Sequence, residues 1–226
     1  MCENERMKYS ACLLSIAPLG LCISAAGQNF GGQRAITTSA DGAVSVYATD
    51  LDGDGDADVL SASVFENKIA WYENQGGGVF GPQQVITTSA PWAQSVYATD
   101  LDGDGDADVL SASYNYPNIA WYENQGGGVF GAQQTITTEA DGAHSIYATD
   151  LDGDGDADVL SASAYDDKIA WYENLGGGAF GSQQTITASA DGAVSVYATD
   201  LDGDGDADVL SASAYDDKIA WYENLG

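Results

Sequence analysis

Asp50-Leu51-Asp52-Gly53-Asp54-Gly55-Asp56-Ala57-Asp58 recurs unchanged at residues 100–108, 150–158 and 200–208. A fifty-residue period decides the architecture, because each repeat is a unit that must stack on its neighbours to bury a core. Five carboxylates within nine residues repel one another severely unless a cation lies between them. Alternate residues of a glycine-broken loop can all turn inward, and such an all-oxygen shell suits Ca²⁺. The expected ligands are Asp50, Asp52, Asp54, Asp56 and Asp58, with Asp56 able to offer its backbone carbonyl. Their equivalents are Asp100, Asp102, Asp104, Asp106 and Asp108; Asp150, Asp152, Asp154, Asp156 and Asp158; and Asp200, Asp202, Asp204, Asp206 and Asp208. That makes one Ca²⁺ per loop, four in all. An EF-hand would need a glutamate at position 12, where this chain has Ser61, and the flanks read as strands rather than helices.

Each repeat holds four strand-like pieces. Val44–Thr49 enters the acidic loop, Val59–Ser63 leaves it, Lys68–Asn74 follows, and Gln84–Thr88 comes after the turn Gly76-Gly77-Gly78. All are short, rich in β-branched or aromatic residues, and bounded by Gly, Asp, Asn or Ser. Four antiparallel strands per fifty residues predict an all-β fold, a β-propeller of four-stranded blades. Ile69-Ala70-Trp71-Tyr72 is apolar at consecutive positions, as a strand covered on both faces requires. Trp71, Trp121, Trp171 and Trp221 therefore read as packing between blades rather than as a ligand cage.

Residues 27–226 amount to four periods, but they begin out of phase. Arg34-Ala35-Ile36-Thr37-Thr38 matches a fourth strand that lacks its first three, and the chain closes on a third strand, Ile219–Asn224, that lacks its fourth. The N-terminal strand is expected to complete the last blade, closing the ring and removing a free edge. Closure predicts a monomer; without it the chain is a dimer or part of a longer array.

Formal charge is −29, with 6 Lys and Arg against 35 Asp and Glu. Phosphate backbones need the opposite surface, so nucleic acid is excluded as a partner. Residues 1–26 differ from the rest: an apolar run from Cys12 to Ile23 precedes Ser24-Ala25-Ala26, which reads as a signal peptide. The run is too short for a transmembrane segment. Initiation at Met7 gives Met-Lys-Tyr-Ser, a better n-region than the acidic residues upstream. All three cysteines lie in this leader, so residues 27–226 can form no disulfide. The expected location is secreted or cell-surface.

Asp-x-Asp-Gly-Asp-Gly-x-x-Asp between two strands, followed by Trp-Tyr-Glu-Asn, a Gly-rich turn and Phe80-Gly81, resembles the FG-GAP/VCBS repeat, a family that includes integrin α-subunit propellers and many bacterial secreted proteins. The resemblance spans residues 27–226. It implies a calcium-binding propeller with metal in the hairpin between the first two strands of each blade. Integrin propellers have seven blades and less uniform ones, so blade number and partner do not carry over.

Differences among the blades concentrate in two loops, 64–67 and 41–44 with their equivalents, which leave an up-and-down blade on the side away from the acidic loops. These loops carry Phe65, Trp92, Tyr114, Tyr116, Tyr165 and Tyr215, candidates for stacking on a glycan or docking an extracellular protein. The resemblance agrees, since integrin propellers use the face opposite their calcium loops. His144, the only histidine, stands alone and reads as surface variation. Near-symmetric blades, no cysteine nucleophile and few bases argue against an enzyme. The sequence thus predicts an adhesion or recognition module. The alternatives are a structural repeat without its own ligand and, behind that, a calcium-dependent polysaccharide lyase.

Overall fold

The computed structural model describes residues 30–116 and 118–226; the signal-peptide reading of residues 1–26 lies outside them. Two units divide the chain, residues 1–34 and residues 35–226. Residues 30–34 form no strand, and all fifteen strands belong to the second unit.

Blade 1 is the antiparallel sheet β1 (Ala43–Thr49), β2 (Asp58–Ser63), β3 (Lys68–Tyr72) and β4 (Gln84–Thr87), in that spatial order. Blade 2 repeats it as β5 (Ala93–Thr99), β6 (Asp108–Ser113), β7 (Asn118–Tyr122) and β8 (Gln134–Thr137). Blade 3 contains β9 (Ala143–Thr149), β10 (Asp158–Ser163), β11 (Lys168–Tyr172) and β12 (Gln184–Thr187). Blade 4 has three strands: β13 (Ala193–Thr199), β14 (Asp208–Ser213) and β15 (Lys218–Tyr222). The fold is the all-β propeller architecture that the period predicts.

Blades pack face to face, which explains their unusual patterning. β2, β3, β6 and β10 are buried almost throughout because both faces meet neighbours. The first seam joins Leu51, Leu60, Ile69 and Trp71 of blade 1 to Val96, Val109 and Tyr122 of blade 2. The second seam repeats this set one period on, with Leu101, Leu110, Ile119 and Trp121 against Ile146, Val159 and Tyr172. Trp71 and Trp121 are thus core residues. Both lie on a glycine of the next blade: a Cβ at Gly128 or Gly178 would collide with the indole ring.

Polar fastenings repeat with the apolar ones. The Ser45 hydroxyl accepts the Val96 N–H at 3.2 Å, Ser95 accepts that of Ile146, and Ser145 that of Val196. Along the inner strands Tyr47, Tyr97, Tyr147 and Tyr197 stack in one row, with ring centroids 4.6, 5.2 and 4.7 Å apart. Burial pushes the Tyr97 and Tyr147 hydroxyls up, so these two stay neutral at any ordinary pH.

Ring closure is not formed among the described residues. Residues 35–38 form no strand and β15 has no fourth partner. The Ser39 N–H still caps the Thr37 hydroxyl at 3.1 Å, as Ser89 does with Thr87, so the local turn chemistry of a fourth strand is present without its partner. The physical reason is that the blades follow an open arc. The tyrosine row ends at Tyr197 and does not return to Tyr47, which leaves segment 35–38 no neighbouring edge to complete.

Candidate metal centres and the variable face

The acidic hairpin joins the first and second strands of each blade. In blade 1, Asp50 accepts the N–H groups of Gly53 and Gly55 at 2.8 and 2.9 Å, one on each carboxylate oxygen. These bonds wrap the backbone around Asp50, and they require the left-handed φ of +81° and +93° that glycine adopts freely. Asp52 accepts the N–H of Asp54, and Asp54 that of Asp56. Asp58 is fully buried; its two oxygens take the N–H groups of Leu51 at 2.9 Å and Asn74 at 2.7 Å. The same bonds recur in the other three loops.

The result brings Asp50, Asp52 and Asp58 together, each with an oxygen within 4.8 Å of the others, and likewise Asp100, Asp102 and Asp108; Asp150, Asp152 and Asp158; and Asp200, Asp202 and Asp208. Asp54 and Asp56, with their equivalents, are not in these triads. Asp54 accepts the Asp56 N–H, and an Asp56 oxygen lies against the Gly-rich turn, 3.4 Å from where a Gly76 Cβ would stand.

Electrostatics shows what the triads lack. Burial, reinforced by neighbouring carboxylates, pushes Asp52, Asp102 and Asp202 above the ordinary carboxylate range. Asp108 and Asp158 are pushed up to about 6, first by burial and then by the charges of the same loop, against the two N–H bonds that favour ionisation. Asp208 has the same bonds but a less covered surrounding; there the N–H groups of Asn224 and Leu201 prevail and hold it below the usual range. Three converging carboxylates with only oxygen donors fit a hard cation, which would balance their repulsion and fix the loop. Each triad could hold a metal ion.

Sequence reasoning missed one residue. Asn74, Asn124, Asn174 and Asn224 follow the last aspartate of the loop by sixteen residues, and each holds it through the backbone N–H. In blades 2 to 4 the Asn side chain also donates to the carbonyl of the preceding blade's leucine: Asn124 to Leu51, Asn174 to Leu101 and Asn224 to Leu151. The metal loop is therefore bonded into the seam. The signal was the fixed Trp-Tyr-Glu-Asn at the end of every third strand.

The opposite side carries the differences. A bulge at residue 44 and its equivalents leaves Val44, Gln94, His144 and Val194 outside the β-ladder pairing, which is why this position tolerates change. Blade 2 departs most from the pattern. Blades 1, 3 and 4 have an ion pair in the loop before the third strand: Lys68–Glu66, Lys168–Asp166 and Lys218–Asp216, at 2.7, 3.0 and 2.6 Å. Blade 2 has Tyr116 and Asn118 there.

A second exchange is sterically coupled. Gly42, Gly142 and Gly192 adopt left-handed φ, and a Cβ on any of them would press into the ring of Phe65, Tyr165 or Tyr215. In blade 2 the residue equivalent to those aromatics is Asn115, and Trp92 stands in the glycine position at φ +53°. A bulky residue there is backbone strain. Its indole is 43 % exposed and edge-on to Phe65 at 6.5 Å. Tyr114, half-buried, meets Tyr165 at 4.8 Å and His144 at 6.0 Å. Its hydroxyl is pushed up to about 12, first by its hydrogen bond with Tyr165 and then by burial. Phe65, Tyr116, Tyr165 and Tyr215 are all exposed.

The model of the FG-GAP-like repeat matches residues 50–111, 100–161 and 150–211, three consecutive periods. This chain belongs to the FG-GAP-like repeat family. A search of curated proteins gave no match. Among solved structures, the FG-GAP-like chain is similar to a lectin of Agrocybe aegerita that specifically recognises non-reducing terminal N-acetylglucosamine, with 23 % identity over 73 % of this chain and 45 % of the lectin, at a TM-score of 0.54. It is similar to the V. cholerae biofilm matrix protein Bap1, with 24 % identity over 80 % of this chain and 27 % of that one, at 0.52. BBS1N, solved in complex with ARL6DN, shares 12 % identity over 84 % of this chain and 56 % of its own, at 0.56. The FG-GAP-like chain spans roughly half or less of these proteins, and the likeness is one of fold. Among the described residues no helix is long and apolar enough to cross a membrane.

Proposed function

We propose that this FG-GAP-like chain is an extracellular, calcium-stabilised recognition module, and a binder rather than a catalyst. The observation that carries the reading is Trp92. A strained, half-exposed indole replaces the glycine of the other blades, on the blade that also exchanges its ion pair for Tyr116. Strain at an exposed aromatic is retained where it serves contact with something outside the chain. Flat rings beside Asn and Asp side chains suit stacking on sugar rings, with a protein surface as the second class of ligand. Two proteins that share the fold are a lectin that recognises non-reducing terminal N-acetylglucosamine and a biofilm matrix protein.

The four aspartate triads take Ca²⁺ in this reading, because hard carboxylate donors at this spacing suit it. Calcium holds the uniform side rigid and leaves the opposite side free to vary. The test is a glycan and matrix-protein binding screen in calcium and in chelator, repeated with Trp92→Ala and Tyr114→Ala. Binding lost in both variants at an unchanged melting temperature supports the reading. Binding unchanged in both moves the ligand off this face and sinks the role given to Trp92 and Tyr114, and no ligand of either class leaves a structural repeat without a partner of its own.

A further inference from the structure

In so uniform a chain each departure from the repeat carries information, and four departures meet in one place. A groove of about 280 Å³ lies between β8, the outer strand of blade 2, and residues 181–183, which lead into β12 of blade 3. Thr135, Ile136, Thr137, Glu139, Ser182 and Gln183 line it. The corresponding residues at the first seam are Val85, Ile86, Thr87, Ser89, Ala132 and Gln133. From the first seam to the second a valine thus gives way to a threonine, an alanine to a serine, and a serine to a glutamate.

The fourth departure uncovers one wall. In blades 1 and 2 the side-chain amide of Gln75 or Gln125 lies over Gly81 or Gly131, its Nε2 3.2 Å from where a Cβ would stand. Blade 3 has Leu175 there, turned out to solvent, and a Cβ on Gly181 would meet nothing but Glu173 within 4 Å. Two groups around the opening are fixed in advance. The Gln183 amide donates to the buried Tyr172 hydroxyl at 2.9 Å, and the buried Thr137 hydroxyl accepts the Glu139 backbone N–H at 3.0 Å. Such fixing lowers the cost of ordering the site around a ligand.

We propose that this groove binds a single pyranose ring of a neutral sugar, held by a pair of adjacent ring hydroxyls. Its volume lies at the lower end for ligand sites, about 300–1,000 Å³, which suits one ring rather than a longer glycan. The Glu139 carboxylate can accept from two neighbouring hydroxyls at once, in charge-assisted bonds. The hydroxyls of Thr135 and Ser182 both donate and accept, matching a ligand whose own groups do the same. Half-buried Ile136 offers an apolar patch to the C–H face of the ring. Among the described residues no cation lines the groove, and nearby Lys168 is committed to Asp166 at 3.0 Å. A phosphate, sulfate or uronate would therefore meet the charge of Glu139 with nothing to balance it. None of the aromatic residues of the variable face lines the groove, so its occupancy does not depend on theirs.

The test is saturation-transfer NMR of the full chain in calcium-containing buffer, with the methyl glycosides of glucose, galactose and mannose and with methyl glucuronide as the anionic counterpart. One variant combines Thr135→Val, Glu139→Ser and Ser182→Ala, which restore the residues of the first seam and should leave the melting temperature unchanged. Glu139→Gln keeps the shape and removes the charge. Trp92→Ala alters the variable face instead.

The expected result is transfer to at least one neutral hexoside and far less to the glucuronide. Binding should weaken about tenfold or more in the triple variant and in Glu139→Gln, through loss of the charge-assisted bonds, and stay unchanged in Trp92→Ala. No transfer to any hexoside, equal binding by the triple variant, or a preference for the glucuronide would overturn the proposal. Binding lost in Trp92→Ala but kept in the triple variant would also overturn it, by moving the sugar to the aromatic loops and leaving the recognition reading of that face intact.

Discussion

The side-chain amide of Asn124 donates to the carbonyl of Leu51 at 2.8 Å, across 73 positions of sequence, while its own backbone N–H holds Asp108 at 2.8 Å. One residue thus ties the metal loop of blade 2 to the body of blade 1. Asn124→Ala removes a buried amide and leaves two carbonyls short of a donor. The expected loss is about 1–3 kcal/mol of stability. The backbone N–H that seats Asp108 survives the substitution, so calorimetric titration should show that triad little changed while the melting temperature falls.

Gly128 and Gly127 both have left-handed φ, at +69° and +62°, but only Gly128 lies under the Trp71 ring. Gly127→Ala should cost about 1 kcal/mol from backbone strain alone. Gly128→Ala adds overpacking against the indole, roughly 1–3 kcal/mol more. Chemical denaturation of the two variants separates the terms; equal losses would mean that the seam yields freely.

Calcium added to metal-free protein should raise the melting temperature markedly. Linkage contributes about 2.7 kcal/mol per site at a hundredfold excess over Kd, if the unfolded chain binds none. Asp102→Asn keeps the acceptor for the Asp104 N–H while removing one charge from its triad. The variant should be more stable than the parent without metal and gain less from calcium, a crossover visible in paired melting curves.

Acid should stabilise the metal-free protein before it destabilises it. Asp108 and Asp158, at about 6, exceed the ordinary unfolded value, so the folded state binds more protons between roughly pH 4 and 6. Stability therefore rises as pH falls through that window. Below roughly pH 4 the sign reverses, because Asp208, held low by backbone N–H groups, and Asp216, held low by Lys218, must then be protonated. Urea midpoints across pH should pass through a maximum near the lower end of the first window. Calcium affinity should fall across the same window as protons compete.

Trp92→Gly restores the residue of the other blades and releases the strain at φ +53°. Relief is of order 1 kcal/mol and offsets the lost contact with Phe65. The melting temperature should hold or rise while ligand binding falls. A clear drop in stability would recast Trp92 as a packing residue.

Much of this was legible in the sequence because strict repetition turns one blade into four observations. The strands lie within two residues of the readings from Val44, Val59, Lys68 and Gln84, since Gly, Asp and Asn bound each one sharply. The acidic loop was equally plain, and Asp50, Asp52 and Asp58 of its five aspartates converge in the triad. What periodicity does not encode is the angle between blades, so Arg34–Thr38 read as a closing strand and found no edge. Nor could it separate Asp108 from Asp208, identical in local sequence but opposite in proton affinity because of what surrounds them.

The seams have a consequence for how the chain finds its fold. Leu51, Ile69 and Trp71 would be received by blade 3 as readily as by blade 2, since Ile146 and Val159 offer what Val96 and Val109 offer. The contact surfaces carry no address. Correct order rests on the short crossings at residues 88–92, 138–142 and 188–192, which bring each blade to its neighbour before a more distant one can compete. Lengthening one crossing with a flexible insert would leave every native contact intact and still let blades mispair, with slow refolding as the result.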